Sequence, residues 1–410
     1  MKRLILAAAL LAAAPAWAAY DGPLVETAGI ADQGDLPPIA ERVPAEPLIV
    51  DLEARDRTPG VHGGTIRMFV SRSKDVRYMA VWGYARLIGY NEAYELVPDI
   101  LHDYQVADGG RSVTLTLRKG HRWSNGDPFT TEDFRYWWEN VALNPDLSPS
   151  GPPSELLVNG EKPIVTVIND QTIRYQWPAP NPRFLPALAQ ARPVYIYRPS
   201  TYMKRYHKDF IKADALEKLQ ADGKKWTKIH NKKDNLYKFD NPKLPVLQPW
   251  VNTMKKNSQR YVLVRNPYYH RIDSQGRQLP YADQVELEIA ASGLIPLKAS
   301  RGQATLQIRS LGFSDAPVLK QMEGEGAYQT RLWRSGFANE VALYPNLNYN
   351  DQAWRDVMRD VRFRRAISLG ISRKAINKVL YFGQAVPQSV TALMESPFYD
   401  EENAAAWTDF

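Results

Sequence analysis

One segment constrains the fold more than any other because it carries successive structural signals in a fixed order. It runs from Leu115 to Phe134. Before and within it, apolar residues alternate with polar ones, a pattern typical of a half-buried β-strand (Val113, Leu115 and Leu117). Asn125-Gly126 follows and supplies the positive backbone angles of a tight hairpin turn.

The same segment predicts where a helix begins. Thr130 suits the N-cap and Asp133 suits the third helical position, so the pair forms a carboxylate variant of the capping box. The next apolar residues share one helix face (Phe134, Trp137, Trp138 and Val141). The three Trp residues of this region, which include Trp123, are expected in the core rather than at a ligand.

The N-terminus predicts export. Lys2 and Arg3 precede a short apolar stretch, residues 4–14, which is too short to span a membrane. Ala16-Trp17-Ala18 fits a cleavage site, so residues 1–18 are predicted to be a signal peptide cut after Ala18. A buried first helix is the alternative. Because the sequence has no Cys, we expect a periplasmic protein and not a lipoprotein.

Composition narrows the possible chemistry. The absence of Cys removes disulfides, thiolate metal sites and Cys nucleophiles. The six His residues form no His-Glu-x-x-His pair, and neither a Gly-x-Ser-x-Gly elbow nor a phosphate-binding Gly-rich loop occurs. We therefore expect no enzyme activity, no cofactor and no metal. An exported hydrolase with paired carboxylates is the alternative of a different class.

The charge is mildly basic. The formal net charge is +7, and removal of Lys2 and Arg3 with the signal peptide leaves +5. Between Met203 and Phe239 there are eleven Lys or Arg against five acidic residues. Because the acids are interleaved, a solvated face of an amphipathic helix over Ser200 to Trp226 is favoured over a membrane or nucleic-acid surface, and no nucleic-acid partner is expected.

Further elements are predicted along the chain. Residues 19–60 form an acidic, Pro-containing arm that we expect to be extended on the surface or partly disordered. Residues 63–70 and 284–289 predict strands, residues 164–177 predict two strands, and residues 192–198 predict another. Helices are predicted over Tyr78 to Ile88, from Asp360 and from Ser372, the last ended by Gly383.

Four segments in order resemble one protein family. They are Leu115 to Phe134, Tyr202 to Phe210, Leu263 to Tyr269 followed by Leu279 to Asp283, and Asp360 to Arg373 with Gly383 to Pro387. They are similar to the family 5 extracellular solute-binding proteins, periplasmic receptors that feed oligopeptides and related solutes to ABC importers. Gly302-Gln-Ala-Thr305 departs from the family by lacking an acidic residue, and Ser372 stands where Asp is common.

The resemblance implies a fold and a domain plan. It implies an α/β, two-lobed type II periplasmic-binding-protein fold in its three-domain peptide-binding variant. Lobe I would comprise residues 61–90 and 192–285, with subdomain II at 91–191 packed on it and lobe II at 286–410. Relatives continue past the fourth segment, so we also expect this chain to be incomplete at its C-terminus. The acid that pairs with a peptide ammonium would then lie beyond its end.

The resemblance also implies capture of a solute by hinged lobe closure and delivery to a membrane permease, by a monomer. The ligand is predicted to be an oligopeptide, with an oligosaccharide as the alternative. Loops at sheet ends are the expected contact points, and Gln248-Pro249-Trp250 lies where relatives place a hinge-side aromatic. The predicted ligand-binding residues are Ser71, Ser73, Asp75, Tyr78, Gln248 and Trp250. A plain structural role is the alternative for each.

Overall fold

The computed structural model describes residues 20–26, 36–221, 223–333, 336 and 341–408, so the predicted signal peptide lies outside the described residues. The chain divides into two compact units. Unit 1 extends to Ser292 and includes Ala304–Leu306, and unit 2 comprises Gly293–Gln303 and the chain from Gln307 onward. Within the described ranges, every helix is too short or too polar to cross a lipid bilayer.

Unit 1 contains all the β-strands assigned in the described residues. In chain order they are β1 (Leu48–Val50), β2 (Thr65–Val70), β3 (Ile88–Tyr90), β4 (Leu96–Pro98), β5 (Leu101–Ala107), β6 (Ser112–Leu117), β7 (Ile164–Asn169), β8 (Thr172–Gln176), β9 (Trp250–Asn252), β10 (Arg260–Arg265), β11 (Arg271–Asp273) and β12 (Gln284–Ile289).

The helices fall in both units. Unit 1 has α1 (Ile39–Arg42), α2 (Tyr78–Trp82), α3 (Thr131–Tyr136), α4 (Phe184–Ala189), α5 (Ser200–Met203), α6 (Ala213–Gln220) and α7 (Trp226–Lys233). Unit 2 has α8 (Ile295–Ser300), α9 (Ala316–Gln321), α10 (Glu323–Gly326), α11 (Gln352–Arg359), α12 (Val361–Gly370), α13 (Arg373–Leu380) and α14 (Glu401–Ala405).

Two four-stranded sheets organise unit 1. The mixed sheet has the order β2-β12-β10-β9, in which β2 and β12 run parallel and the other neighbours run antiparallel. The second sheet, β5-β6-β8-β7, is antiparallel throughout. The predicted strand at residues 113–117 is confirmed as part of β6, and its three apolar side chains are buried (Val113, Leu115 and Leu117). The strands predicted within 63–70, 164–177 and 284–289 are also confirmed.

The turn after β6 differs in detail from the prediction. Gly126 has a φ of +88°, but Asn125 does not lie in the positive-φ region. The Gly126 backbone N–H donates to the Trp123 carbonyl over 2.8 Å, which makes Ser124 and Asn125 the central residues. A Cβ on Gly126 would also stand 3.0 Å from the Tyr268 hydroxyl. Glycine is therefore required here both for its backbone angle and for close packing.

The capping box is confirmed. The Thr130 hydroxyl accepts from the Glu132 N–H over 3.3 Å, and the Asp133 carboxylate accepts from the Thr130 N–H over 3.2 Å. Asp133 also accepts from the Trp123 indole N–H over 2.9 Å and from the Ser200 N–H over 2.8 Å. Burial outweighs these bonds and raises the pKa of Asp133 to about 6. One buried carboxylate thus joins the turn, α3 and α5.

The larger of two apolar clusters runs through unit 1. It includes side chains from both four-stranded sheets and all four residues of the predicted apolar helix face. Phe134 lies in α3, and Trp137, Trp138 and Val141 lie in the π-helical stretch Trp137–Ala142 that continues it. Residues of the predicted lobe I and subdomain II therefore share this core. The lobe boundaries themselves stay predictions. Strand β12 passes through the predicted boundary at 285/286, and the change of compact unit falls after Ser292.

A buried charge network ties distant segments of unit 1 together. The Asp99 carboxylate accepts from the Arg271 guanidinium over 2.7 and 2.9 Å, from the His270 Nε2–H over 2.7 Å and from the Arg86 backbone N–H over 2.8 Å. Arg118 donates to the Asp99 carbonyl over 3.0 Å. The neighbouring positive charges hold the pKa of Asp99 far below its usual range even though burial acts to raise it.

Three of the predicted elements are wrong. The helix predicted over 78–88 ends at Trp82, and Tyr84 has a φ of +42°. Beyond Trp82, the Tyr84 carbonyl accepts from the Arg271 side chain, and the Ala85 carbonyl accepts from the Gln248 side chain. Residues 192–198 form no strand, and the basic helix predicted over 200–226 is broken into α5, α6 and the start of α7.

Residues 192–198 do not form the predicted strand. Several of their backbone groups bond an arginine side chain or a carbonyl outside any sheet. Arg198 donates to the carbonyls of Tyr195 and Tyr197 over 2.9 and 2.8 Å. The Val194 N–H donates to the Ala187 carbonyl over 3.0 Å. These bonds satisfy the backbone without a sheet ladder.

The described part of the arm is more ordered than the prediction. It contains α1 and β1, and β1 pairs parallel to β11. Ile39 and Val43 bury against Ile272 in a small second core. Arg42, 1% exposed, bonds Glu26 and donates to the Pro267 carbonyl over 3.2 Å. Apolar and charged contacts together hold these residues on unit 1.

Unit 2 is helical in its described part. The predicted helix starts are confirmed, because Asp360 caps α12 by accepting from the Arg362 N–H and Ser372 caps α13 by accepting from the Ala375 N–H. Gly383, with a φ of +78°, follows the end of α13, and its N–H donates to the Asn377 carbonyl over 3.1 Å. Short-range capping chemistry therefore sets these boundaries.

We predict that Asp99→Asn lowers the free energy of unfolding by about 3 kcal/mol, because it removes the buried charge that compensates the part-buried Arg271 guanidinium. Urea unfolding followed by tryptophan fluorescence and far-UV circular dichroism measures the effect. Asp170→Asn, at an exposed turn position, is the matched control and should be near neutral. Equal midpoints for the two variants would contradict a stabilising role for the network.

We also predict loss of stability below pH 6.5. Burial lowers the pKa of His270 to about 4 despite the Asp99 charge, lowers that of His230 to about 3, and lowers that of His121 well below its usual value. The unfolded chain takes up these protons near pH 6.5 and the folded chain does not, so the free energy of unfolding falls as pH falls. Burial raises the pKa of Asp133 and of Asp234, so these two carboxyl groups oppose the trend.

The expected slope is about 1.4 kcal/mol per pH unit for each proton by which the two states differ. Unfolding midpoints in urea at pH 7, 6 and 5 measure it. His121→Gln should show a shallower slope than the parent because one of the buried histidines is gone. A midpoint that stays constant or rises from pH 7 to pH 5 would refute the assignment of neutral buried histidines.

Candidate ligand-binding site

The loop after β2 is held by a hydrogen bond between two of its own side chains. Residues Ser73–Arg77 form one short 3-10 helix directly beyond the end of the strand. The Asp75 side chain is 1% exposed and accepts a hydrogen bond from the Ser71 hydroxyl over 3.3 Å. The structure therefore brings Ser71 and Asp75 together, as a contact internal to the loop. Their role as ligand contacts stays a prediction.

Tyr78 is the first residue of α2 and is half-buried. Its ring stacks on Trp82 with the ring centres 5.6 Å apart and the planes inclined by 20°. The Arg77 guanidinium lies 5.5 Å from the centre of the same ring. Such stacking fixes the side chain in place before any ligand is present.

Gln248 and Trp250 belong to the core of unit 1. The Gln248 amide donates to the Ala85 carbonyl over 3.1 Å, and its backbone carbonyl accepts from the Asn266 side chain over 2.9 Å. Trp250 pairs with Arg265 at the start of β9. The two side chains are 4% and 6% exposed. Within unit 1 both side chains pack in the fold, although the Gln248 side-chain oxygen is buried without a hydrogen-bond partner, and a ligand role for either stays a prediction.

The two chain segments that carry the predicted ligand-binding residues nevertheless contact each other. A Cβ on Gly83, just after α2, would stand 3.0 Å from the Pro249 ring. Together with the bond from Gln248 to Ala85, this contact places the 248–250 segment against the end of α2. Pairing of the two segments was not predicted from the sequence, since more than 160 positions separate them.

A groove of about 190 Å³ opens beside the loop after β2, wholly within unit 1. We call it the basic groove. Of the six predicted residues, Ser73 lines it. Its other lining residues come from the same loop, from the chain before β9 and from the β9–β10 connection (Lys74, Arg77, Lys238, Asp240, Lys256, Asn257 and Tyr261).

Sequence reasoning missed most of these residues. Lys238 falls in the basic stretch between Met203 and Phe239, whose charge is visible in the sequence but was assigned to a solvated helix face. Lys74 and Lys256 lie outside this stretch of the chain. Only the tertiary fold brings the three together.

Hydrogen bonds inside the groove fix its floor. The Tyr261 side chain is buried, and its hydroxyl oxygen accepts from the Asn257 backbone N–H over 3.1 Å. Burial raises the pKa of Tyr261. Across the groove, Asp240 lies 4.0 Å from the Lys256 ammonium. Among the described residues, no group of three or more His, Asp or Glu side chains is arranged to hold a metal ion.

Residues 95–410 match the model of the family described as bacterial extracellular solute-binding proteins, family 5 middle. The match covers more than half of the chain. The chain belongs to this family. The resemblance inferred from the four sequence segments is therefore confirmed.

Relatives within the family 5 proteins differ in what their names say they bind. The periplasmic alpha-galactoside-binding protein of Rhizobium meliloti is 25% identical over 395 residues, which is 89% of this chain and 54% of the relative. The oligopeptide-binding protein OppA of Bacillus subtilis is 23% identical over 295 residues, 69% of this chain and 46% of the relative.

Solved structures agree with the family 5 assignment. An oligopeptide-binding protein OppA superimposes with a TM-score of 0.74 at 30% identity, covering 92% of this chain and 59% of that protein. A periplasmic binding protein of Agrobacterium fabrum in complex with stachyose gives 0.65 at 22% identity, covering 94% and 61%. The predicted α/β periplasmic-binding-protein fold is thus confirmed. The chain spans about half to three-fifths of the length of these relatives.

Proposed function

We propose that this chain captures a solute for an ABC importer and that the solute is an oligopeptide. The observation that carries the proposal is the family 5 match over residues 95–410. In the proposed mechanism, hinged closure of two lobes retains the solute, and the closed form presents it to a membrane permease. A solute that binds the closed form better shifts the population toward closure, so no chemical step is needed.

The peptide assignment is supported by the structural likeness to an oligopeptide-binding protein at 30% identity. The fold also offers suitable groups. Strand β2 lies at one edge of the mixed sheet, where Thr305 and Leu306 already bond the Arg67 backbone, and it leads into the loop at Ser71–Asp75. An extended peptide can pair its backbone with groups of such a loop, which gives affinity without strict side-chain selection.

An oligosaccharide is the second candidate. The similarity to an alpha-galactoside-binding protein over 89% of the chain favours it. The stacked, half-buried pair of Tyr78 and Trp82 is the kind of aromatic surface on which a sugar ring can lie. The two candidates share the fold and the capture mechanism and differ only in the ligand.

We expect peptides to stabilise the purified protein against thermal unfolding. A thermal-shift screen would compare di- to pentapeptides with α-galactosides, cello-oligosaccharides and xylo-oligosaccharides. A ligand at about one hundred times its dissociation constant adds about 2.7 kcal/mol. Shifts with sugars alone would replace the peptide assignment by the second candidate.

The control for this screen is recovery of the ligand. Mass spectrometry of the ligand after incubation should return it unchanged, because capture involves no bond cleavage. Appearance of shortened peptides or sugars would reject the receptor proposal and favour an exported hydrolase.

We further propose that the chain is exported to the periplasm by a signal peptide cut after Ala18. Expression in a Gram-negative host should give a periplasmic product whose intact mass begins at Ala19. Ala18→Arg should block processing, because the cleavage site requires a small residue. Ala13→Val keeps the apolar stretch and is the control. A full-length cytoplasmic product from the parent sequence would disprove export.

A further inference from the structure

The basic groove lies at the C-terminal end of β2, where loops of α/β proteins gather ligand contacts. Three separate chain segments build it, represented by Lys74 and Arg77, by Lys238 and by Lys256. Its volume of about 190 Å³ is below the roughly 300–1,000 Å³ typical of pockets that enclose a whole small ligand. The groove is therefore the size of an end group.

The charge of the groove is unbalanced. Four of its side chains are cationic, and Asp240 is the one carboxylate among its lining residues. Asp240 is within ion-pair distance of Lys256. Across the part of the chain that the structure describes, no carboxylate lies within 4.0 Å of the charged nitrogens of Lys74, Arg77 or Lys238. Like charges held this close repel one another, and a bound anion relieves the repulsion.

One side chain that lines the groove carries a buried hydrogen-bond donor without a partner. The Arg77 Nε atom is inaccessible to solvent and makes no hydrogen bond in the structure. Buried polar atoms in native proteins are nearly always paired, so an orphaned donor calls for a ligand atom, an ion or a water. The ring of Tyr78 supports the Arg77 guanidinium from one side and so holds this donor in place.

Two hydroxyl-bearing side chains also line the groove. The Ser73 hydroxyl donates to the Asn257 side-chain oxygen over 3.5 Å, and Tyr261 is buried at the floor. The Tyr261 hydroxyl stays protonated at neutral pH, since burial raises its pKa. A guanidinium, lysine ammonium groups and hydroxyls are the groups that proteins use to bind carboxylate and phosphate oxygens. An uncharged sugar would leave the cations uncompensated.

We propose that the basic groove binds an oxyanion, a carboxylate or a phosphate, at one end of the solute that this chain captures. The inference rests on the proposed function, because it assigns the anion to that solute. It narrows the ligand to a molecule with a negatively charged end, such as a peptide with a free C-terminal carboxylate.

The test uses isothermal titration calorimetry on the whole chain with three probes. They are N-acetylated tetra-alanine with a free carboxylate, the same peptide as its C-terminal amide, and inorganic phosphate. The variant combines Lys74→Gln and Arg77→Gln. The control combines Lys162→Gln and Arg57→Gln, which neutralises an exposed lysine and arginine away from the groove.

We expect the free carboxylate, or phosphate, to bind the parent and the control at least about tenfold more tightly than it binds the groove variant, since charge-assisted bonds are lost. The amide should not discriminate between the proteins. Preference for the carboxylate peptide over phosphate would assign the groove to peptide ends, and the reverse would assign it to phosphorylated solutes.

The inference is overturned if neither anion binds the parent at millimolar concentration, or if the groove variant binds both within about twofold of the parent. Should the double variant fail to fold, Lys238→Gln, which changes an exposed side chain, provides the same comparison. Tight binding of an uncharged oligosaccharide, equal in the parent and the groove variant, would reject the groove and leave the receptor proposal standing. Conversion of a probe into products would reject the receptor proposal alone.

Discussion

Unit 1 depends on the buried carboxylate of Asp99. An isolated charge in an apolar interior is strongly unfavourable, so its partners must be positioned together. Arg271 and His270, at the start of β11, donate hydrogen bonds to this carboxylate. The Arg86 backbone N–H, in the connection between α2 and β3, donates another. Arg118, which bonds the Asp99 carbonyl, also donates to the Glu46 carbonyl over 2.7 Å and so reaches the arm.

The network also explains where regular structure stops. Arg86 donates to the carbonyls of Gln190 and Ala191 over 2.9 and 2.6 Å. Arg271 donates to the Tyr84 carbonyl over 2.9 Å. Each of these carbonyls thus has a side-chain partner in place of one from a helix or sheet ladder. Arginine side chains thus stabilise irregular connections, and this allows the chain to change direction inside a compact unit.

Elements governed by neighbouring residues could be predicted from the sequence. The alternation in β6, the capping box at Thr130 and the caps at Asp360 and Ser372 all rest on contacts within a few positions. Elements governed by distant residues could not. The apolar spacing over 78–88 is helical, but long-range bonds to Tyr84 and Ala85 end the helix at Trp82.

The candidate site also has a part that could be predicted from the sequence and a part that could not. The loop after β2 could be located because a strand and a following loop are local features, and Ser73 does line the groove. The partners of Ser73 could not be foreseen, because Lys238 and Lys256 become neighbours only when β9 and β10 pair beside β12. Sequence alone also gave no means of separating buried side chains, such as Trp250, from accessible ones.

The orphaned donor of Arg77 distinguishes the groove from an ordinary basic surface. A solvated lysine face needs no partner because water satisfies every ammonium, and such a face contributes little to specificity. The Arg77 Nε atom is buried and lacks a hydrogen-bond partner, which is unfavourable, so under our proposal a bound oxyanion together with a small shift of the side chain would satisfy it. Its geometry is fixed by Tyr78 and by the loop that Ser71 and Asp75 brace. Under our proposal, residues whose side chains brace the loop would influence ligand choice without touching the ligand.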